Sequence, residues 1–203
     1  MDGISDHDTL RAYYGAISLL AERKVIPRLD PHARAFIALS PFLVLATVDD
    51  HGQADASPRG DAPGFVLVLD DTTLLLPDRP GNNRVDSYGN VLANPGVGLI
   101  FLVPGIDETL RVSGTARVVT DTALLAPAEA QGKLPRAGLL IDVQEVFFHC
   151  GKALKRAKLW DAERHVARSS FPSLGRIIAD QTGACDAAEA DVRIEEGYRT
   201  RMY

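Results

Sequence analysis

The stretch LLLPDRPGNNRVDSYGN, Leu74 to Asn90, sets the reading of the whole chain. It opens as an apolar strand and breaks at Pro77, because proline brings no N–H to a β-ladder. It then crosses Asp78, Arg79, Pro80 and Gly81. From Asn82 its pattern is that of a helix, with Val85, Tyr88 and Leu92 on one face and Asn94 and Gly96 as the stop. A plain strand-to-helix turn needs fewer special residues than two prolines, a glycine, two asparagines and two arginines. The corner has the composition of an anion site. A helix start leaves backbone N–H groups unpaired and carries positive partial charge, so a phosphate fits there. Arg79 and Arg84 add forked donors that suit phosphate oxygens, and Gly81 removes a side chain where a ligand would approach. Upstream, SPRGD puts Arg59 at the end of another strand, where it could supply a third guanidinium. A tight connection with solvated arginines is the alternative that spacing alone leaves open.

Working outward, residues 8 to about 25 read as one or two short helices. LDPHARAFIALSP gives Asp30 as N-cap, Pro31 at the first helical position, Phe36 and Ile37 facing inward, and Pro41 as the stop. FLVLATV and QADASPRG form a hairpin across DDHG, and GFVLVLDDTTLLLP forms a second around Asp70 and Asp71. VGLIFLV reads as a buried strand. TLRVSGTARVV alternates strictly, with Leu110, Val112, Gly114, Ala116 and Val118 on one face. GLLIDVQEVFFHC alternates too, but its phase slips near Gln144 and Glu145, which predicts a bulge. KALKRAKLWD looks helical. The last stretch, DAAEADVRIEEGYRTRMY, opens with a capping box at Asp186 and Glu189 and sets Ala190, Ile194 and Tyr198 on one face. Short links between strands require antiparallel pairing. The expectation is an α+β barrel, not a doubly wound sheet.

The chain has 203 residues, 46% hydrophobic and 24% charged, with a formal net charge of −5. This suits one soluble domain with a substantial core. No global basic field favours nucleic acid, and no apolar run approaches the roughly 18 residues of a membrane span. The N-terminus lacks the basic-then-apolar order of a signal peptide, so a cytoplasmic protein is expected. Cys150 and Cys185 are the only cysteines, far apart in sequence, and suggest neither a disulfide framework nor a metal site. His149 and Cys150 adjoin on a strand and so point to opposite faces. No metal is expected.

The run SPRGDAPGFVLVLDDTTLLLPDRPGNNRVDSYGNVLANPGVGLIFLVPGIDETLRVSGTA resembles the pyridoxamine 5'-phosphate oxidase-like, FMN-binding split-barrel superfamily. It is most similar to an FMN-dependent branch that carries PDRPGNNR, FLVPG and FHCGKALKRAKLW. The resemblance covers residues 8 to about 165. It implies a single split-barrel domain over residues 1–203, antiparallel with six or more strands. N-terminal helices would occupy about 8–40 and C-terminal helices about 151–203. It also implies a homodimer with FMN at the subunit interface. By motif position, Arg59 matches a basic phosphate-binding residue. Leu76, Pro77, Asp78 and Arg79 match the segment along the flavin ring. Asn82, Asn83 and Arg84 stand where the oxidases carry a phosphate-binding triplet. Two of those three are Asn here, so Arg84 must carry more of the charge. The segment with Lys152, Arg156 and Trp160 matches a region that often reaches the partner's flavin. The sequence alone does not distinguish partner from self.

The substrate-binding Arg and His pattern of true pyridoxamine phosphate oxidases has no match in EEGYRTRMY. The resemblance therefore implies FMN more firmly than vitamin B6 chemistry. No residue stands out as a general base, which suits a cofactor that itself carries hydride or electrons. The expected activity is an FMN-dependent oxidoreductase acting on a small organic substrate or a nicotinamide cofactor. The alternatives are a flavin carrier, store or redox sensor without its own substrate, and a relative that binds coenzyme F420.

Overall fold

Among the described residues every strand pairs antiparallel with its neighbours, and all seven join one sheet. The computed structural model describes residues 3–203. Three helices lead in: α1 (His7–Tyr14), α2 (Leu19–Arg23) and α3 (Pro31–Leu39). Asp30 caps α3 by accepting from the Ala33 N–H at 2.8 Å, and Phe36 and Ile37 face the core, as the capping pattern requires. The first hairpin is β1 (Phe42–Val48) with β2 (Ala54–Gly60). The second is β3 (Leu67–Val68) with β4 (Thr73–Pro77), in which β3 is cut to two residues. Helix α4 (Asp86–Ala93) follows, then the long strands β5 (Gly96–Leu102), β6 (Thr109–Val119) and β7 (Gly138–His149). A short α5 (Thr122–Leu125) sits between β6 and β7. Then come α6 (Lys152–Ala157), α7 (Leu174–Thr182) and α8 (Ala187–Thr200).

The sheet order is β2-β1-β5-β6-β7-β4-β3, so β2 and β3 are its two free edges. Inward residues of β1, β4, β5, β6 and β7 merge with Phe36 and Ile37 of α3 and Val91 of α4 into one apolar cluster. The sheet curls around that cluster and stays open between its edge strands, which makes it a split barrel. Pro58 is tolerated in β2 because β2 lies at an edge. Strand β5 is not buried on both faces as its run of apolar residues suggested. Val97, Leu99 and Phe101 point inward, while Ile100 is 40% exposed. The bulge falls where the alternation slips: Ser113 pairs with Glu145 and Gly114 with Val143, leaving Gln144 unpaired. Gly114 is required there, since an added Cβ would collide with the Asp142 carbonyl.

Three sequence expectations shift. Helix α4 begins at Asp86, not Asn82, and its buried residues are Ser87 and Val91. Val85 and Leu92 are exposed. Helix α7 and the α5 turn had no counterpart in the pattern reading. On α8 it is Ala190 that is buried, whereas Tyr198 is 57% exposed. Among the described residues no helix is long and apolar enough to cross a membrane.

Candidate functional site

A cleft of about 930 Å³ opens between the end of β2, the end of β4, the loop before α4 and the segment after α8. It brings together Arg59, Pro77, Asp78, Arg79, Asn82, Asn83 and Arg84 from the predicted set. It adds Asp55, Ser57, Ser87, Tyr88, Arg136 and Tyr203, which pattern reading missed. Six basic side chains (Arg59, Arg79, Arg84, Lys133, Arg136, Arg201) face three acidic ones (Asp55, Asp78, Asp86) along its lining. The lining of the cleft is locally basic in a chain of net charge −5.

The start of α4 forms one end. Its N-cap position is Val85 in the left-handed conformation at φ 53°, with no side-chain cap, and Asn83 two residues earlier has φ 60°. A β-branched residue at positive φ is a true outlier, and such strain concentrates at functional sites. A left-handed residue followed by a helical one turns successive N–H groups toward a common point, the arrangement that receives anions. The first helical bond is donated by the Gly89 N–H to Val85 O. The N–H groups of Asp86, Ser87 and Tyr88 therefore have no partner within the helix.

Arg59 is fixed at this point. Its Nη1 donates to Ser57 Oγ at 2.7 Å and to Pro58 O at 2.8 Å, and its Nη2 donates to Ser87 Oγ at 3.1 Å. The Ser87 hydroxyl in turn donates to Asp55 Oδ2 at 3.0 Å. Thr47 also donates to Asp55, and Asn90 to Thr47. This polar chain ties β1, β2 and α4 together. A signal for it was present in the sequence. In DASPRGD, residues Asp55, Ser57 and Arg59 recur with period two, so one face of the edge strand presents all three, and Asp61 follows just past its end.

Arg84 takes a different place from the one its spacing predicted. It precedes the helix, its side chain is 72% exposed, and Nε donates to Asp86 Oδ2 at 2.7 Å. Arg79 is committed elsewhere: Nε donates to Asp61 at 2.5 Å and Nη2 to Ala128 O at 2.9 Å. Burial pushes the Asp61 carboxyl up, but hydrogen bonds from Tyr203, Arg79 and the Ala62 N–H outweigh it and hold Asp61 below its usual value. Asp78 does not pair with Arg84. Its N–H donates to Ala137 O, and burial raises its carboxyl despite the opposing charge of Arg59. Burial, and then the charge of Asp78, raise the Tyr88 phenol.

Leu76 lies in the apolar core at 1% exposure, with its side chain away from the cleft. Lys152, Arg156 and Trp160 do not line it either. Trp160 Nε1 donates to Ile106 O at 2.9 Å, which pins this segment to the β5–β6 connection, and Lys152 and Arg156 are exposed.

Similar folds are found among solved structures. HupZ from Group A Streptococcus is 23% identical over 59% of this chain and 93% of its own, with a TM-score of 0.49. A putative pyridoxamine 5'-phosphate oxidase from Lactobacillus delbrueckii is 24% identical over 60% and 99%, at 0.46. An FAD binding protein from Mycobacterium smegmatis is 18% identical over 60% and 96%, at 0.42. No curated protein matches the chain. The family model described as pyridoxamine 5'-phosphate oxidase matches residues 29–150, from the residue before the α3 cap to the end of β7, and the chain belongs to that family.

Proposed function

We propose that the cleft holds FMN and that the protein is an FMN-dependent oxidoreductase of this family, acting on a small organic substrate or with a nicotinamide donor. The observation that carries this reading is the uncapped start of α4 with the Arg59 guanidinium fixed beside it. That donor set suits a dianionic phosphate better than any neutral group. Arg59 and the N–H groups of Ser87 and Tyr88 would hold the phosphate, with Asn82, Asn83 and Arg84 at its rim. Pro77, Asp78 and Arg79 would border the ring. When bound, the flavin supplies hydride or electron transfer, and the chain orients it and limits water.

The same reading makes the protein a homodimer. Lys152, Arg156 and Trp160 stand outside the cleft of their own chain, so a role toward the flavin requires a second copy. Phe42 and Ile100, exposed on the outer face of β1 and β5, supply apolar surface for such a copy to cover.

The test is a titration of apoprotein with FMN and with riboflavin, read by flavin fluorescence. Two charge-assisted bonds lost with the phosphate correspond to about 100-fold weaker riboflavin binding. Equal affinities would remove the phosphate site. Bleaching of the bound flavin by NADH or NADPH then separates the oxidoreductase from a carrier.

A further inference from the structure

One wall of the cleft comes from the far end of the chain. After α8, Arg201 and Tyr203 line it together with Thr200. The Tyr203 hydroxyl donates to Asp61 Oδ1 at 2.6 Å, while Arg79 donates to the other oxygen of the same carboxylate. The Tyr203 ring faces the Arg79 guanidinium, with 6.0 Å from Cζ to the ring centroid. Lys133 Nζ donates to the main-chain oxygen of Tyr203 at 2.6 Å. Three separate stretches of the chain hold this one residue: the end of β2, the end of β4 and the segment before β7.

The residue arrives on a self-contained support. Helices α7 and α8 pack on each other through Asp191, which accepts from Ser173 Oγ at 2.5 Å and from the Gly175 N–H at 2.8 Å. Gly175 leaves no room for a side chain against Asp191. The end of this hairpin is the part that reaches the cleft. Three aromatic side chains line that cleft. Phe65 is 8% exposed, and Tyr88 is half-buried with its hydroxyl beside Asp78. Tyr203 is the one carried by an element outside the barrel, and it is half-buried as Tyr88 is. Arg79 beneath it has its Nε and Nη2 committed to Asp61 and Ala128, which makes it a platform for the ring.

We propose that Tyr203 is a ligand-retaining wall, an aromatic side chain brought by the α7–α8 hairpin to close the outer end of the cleft over a flat aromatic ligand, and that Asp61 is the positioning residue that holds it there. The proposal rests on the flavin reading above and deepens it. It assigns the ring end of the ligand to Tyr203 and the phosphate end to Arg59.

The experiment measures FMN dissociation from the full chain by stopped-flow fluorescence, with iodide quenching of the bound flavin as a second readout. Three proteins are compared: the unaltered protein, Tyr203→Ala and Tyr203→Phe. Loss of the ring in Tyr203→Ala is expected to speed dissociation about tenfold and to open the flavin to iodide. Tyr203→Phe keeps the ring but loses the bond to Asp61, and is expected to speed dissociation about threefold. If the unaltered protein binds FMN and Tyr203→Ala releases it at the same rate, the wall is refuted and the flavin reading stands. If Tyr203→Ala is faster but Tyr203→Phe releases FMN at the unaltered rate, Asp61 does not position the ring and that part of the proposal is refuted. If the unaltered protein binds no FMN, the flavin reading fails and the wall fails with it.

Discussion

Arg59→Ala is expected to be the most damaging single change for FMN binding. A guanidinium has five N–H donors. In Arg59, both Nη1 hydrogens are used by Ser57 and Pro58, and one Nη2 hydrogen by Ser87. One Nη2 hydrogen and the Nε hydrogen remain for a ligand. Two charge-assisted bonds at the lower bound of about 1.5 kcal/mol each give about 3 kcal/mol, or about 100-fold in Kd. The variant should stay folded, because Ser87 keeps its bond to Asp55 and the helix start keeps that anchor. Arg84→Ala provides the contrast. That side chain is 72% exposed and already paired with Asp86, so solvent screens it and its loss should cost less than about tenfold. Fluorescence titration of each apoprotein with FMN gives both constants. An Arg59→Ala constant within about threefold of the original, well short of the two bonds counted here, refutes the reasoning. So does a larger loss from Arg84→Ala.

Ser87→Ala should lower stability by about 1–3 kcal/mol, because it removes a donor from the half-buried Asp55 carboxylate; thermal unfolding of the apoprotein checks this, with about 2–4 °C expected per kcal/mol. Gly114→Ala should cost at least about 1–3 kcal/mol, since its Cβ meets the Asp142 main chain at the bulge and neither strand can retreat; a melting temperature equal to that of the original protein would sink the assignment of the bulge. Asp78→Asn should raise the melting temperature at pH 7. The folded-state value of Asp78 is raised, so its contribution is full below the ordinary value of 3.8 and is lost as pH rises through the folded value; the gain should vanish below about pH 4. Asp61→Asn should move the other way. Its folded value is depressed, so its contribution is present at neutral pH and lost as pH falls through that lower value.

Much of the barrel was legible because period-two alternation is a local signal. The slip at Gln144 could be read as a bulge from a few residues of β7, without knowing that β6 was the partner. The cap at Asp30 was equally local. Helix α7 had local signals as well, Ser173 as cap and Gly183 at φ 62° as stop, and the pattern reading passed over them. The start of α4 was misplaced by four residues for a physical reason. Asn82, Asn83, Arg84 and Val85 have side chains that a helix tolerates, and valine disfavours positive φ, so propensity continues the helix backward. The actual loop conformation is set by its surroundings at the cleft, which no local window contains. The partners of Arg59 lay beyond reach for the same reason: Ser87 is 28 residues away. Tyr203 and Asp61 are 142 residues apart, and no local window contains both.

The edge strand β2 explains why the site has two ends of different character. Alternate residues of an extended strand share a face about 7 Å apart, so Asp55, Ser57 and Arg59 form one polar stripe along the cleft, and Asp61 follows past the strand's end. At one end, Asp55 accepts from Ser87, and Ser87 accepts from Arg59, so the carboxylate orients the arginine through a hydroxyl without neutralising it by direct contact. At the other end, Asp61 pairs directly with Arg79 and takes the Tyr203 hydroxyl as well. The same residue type thus leaves a cation available at the α4 start and consumes one at the outer mouth. An anion entering the cleft meets its strongest uncompensated donors beside α4, and its remaining, less polar part is left against the Arg79–Tyr203 platform. On the proposed reading, that polarity would orient an elongated ligand with a charged head and a flat tail in one direction.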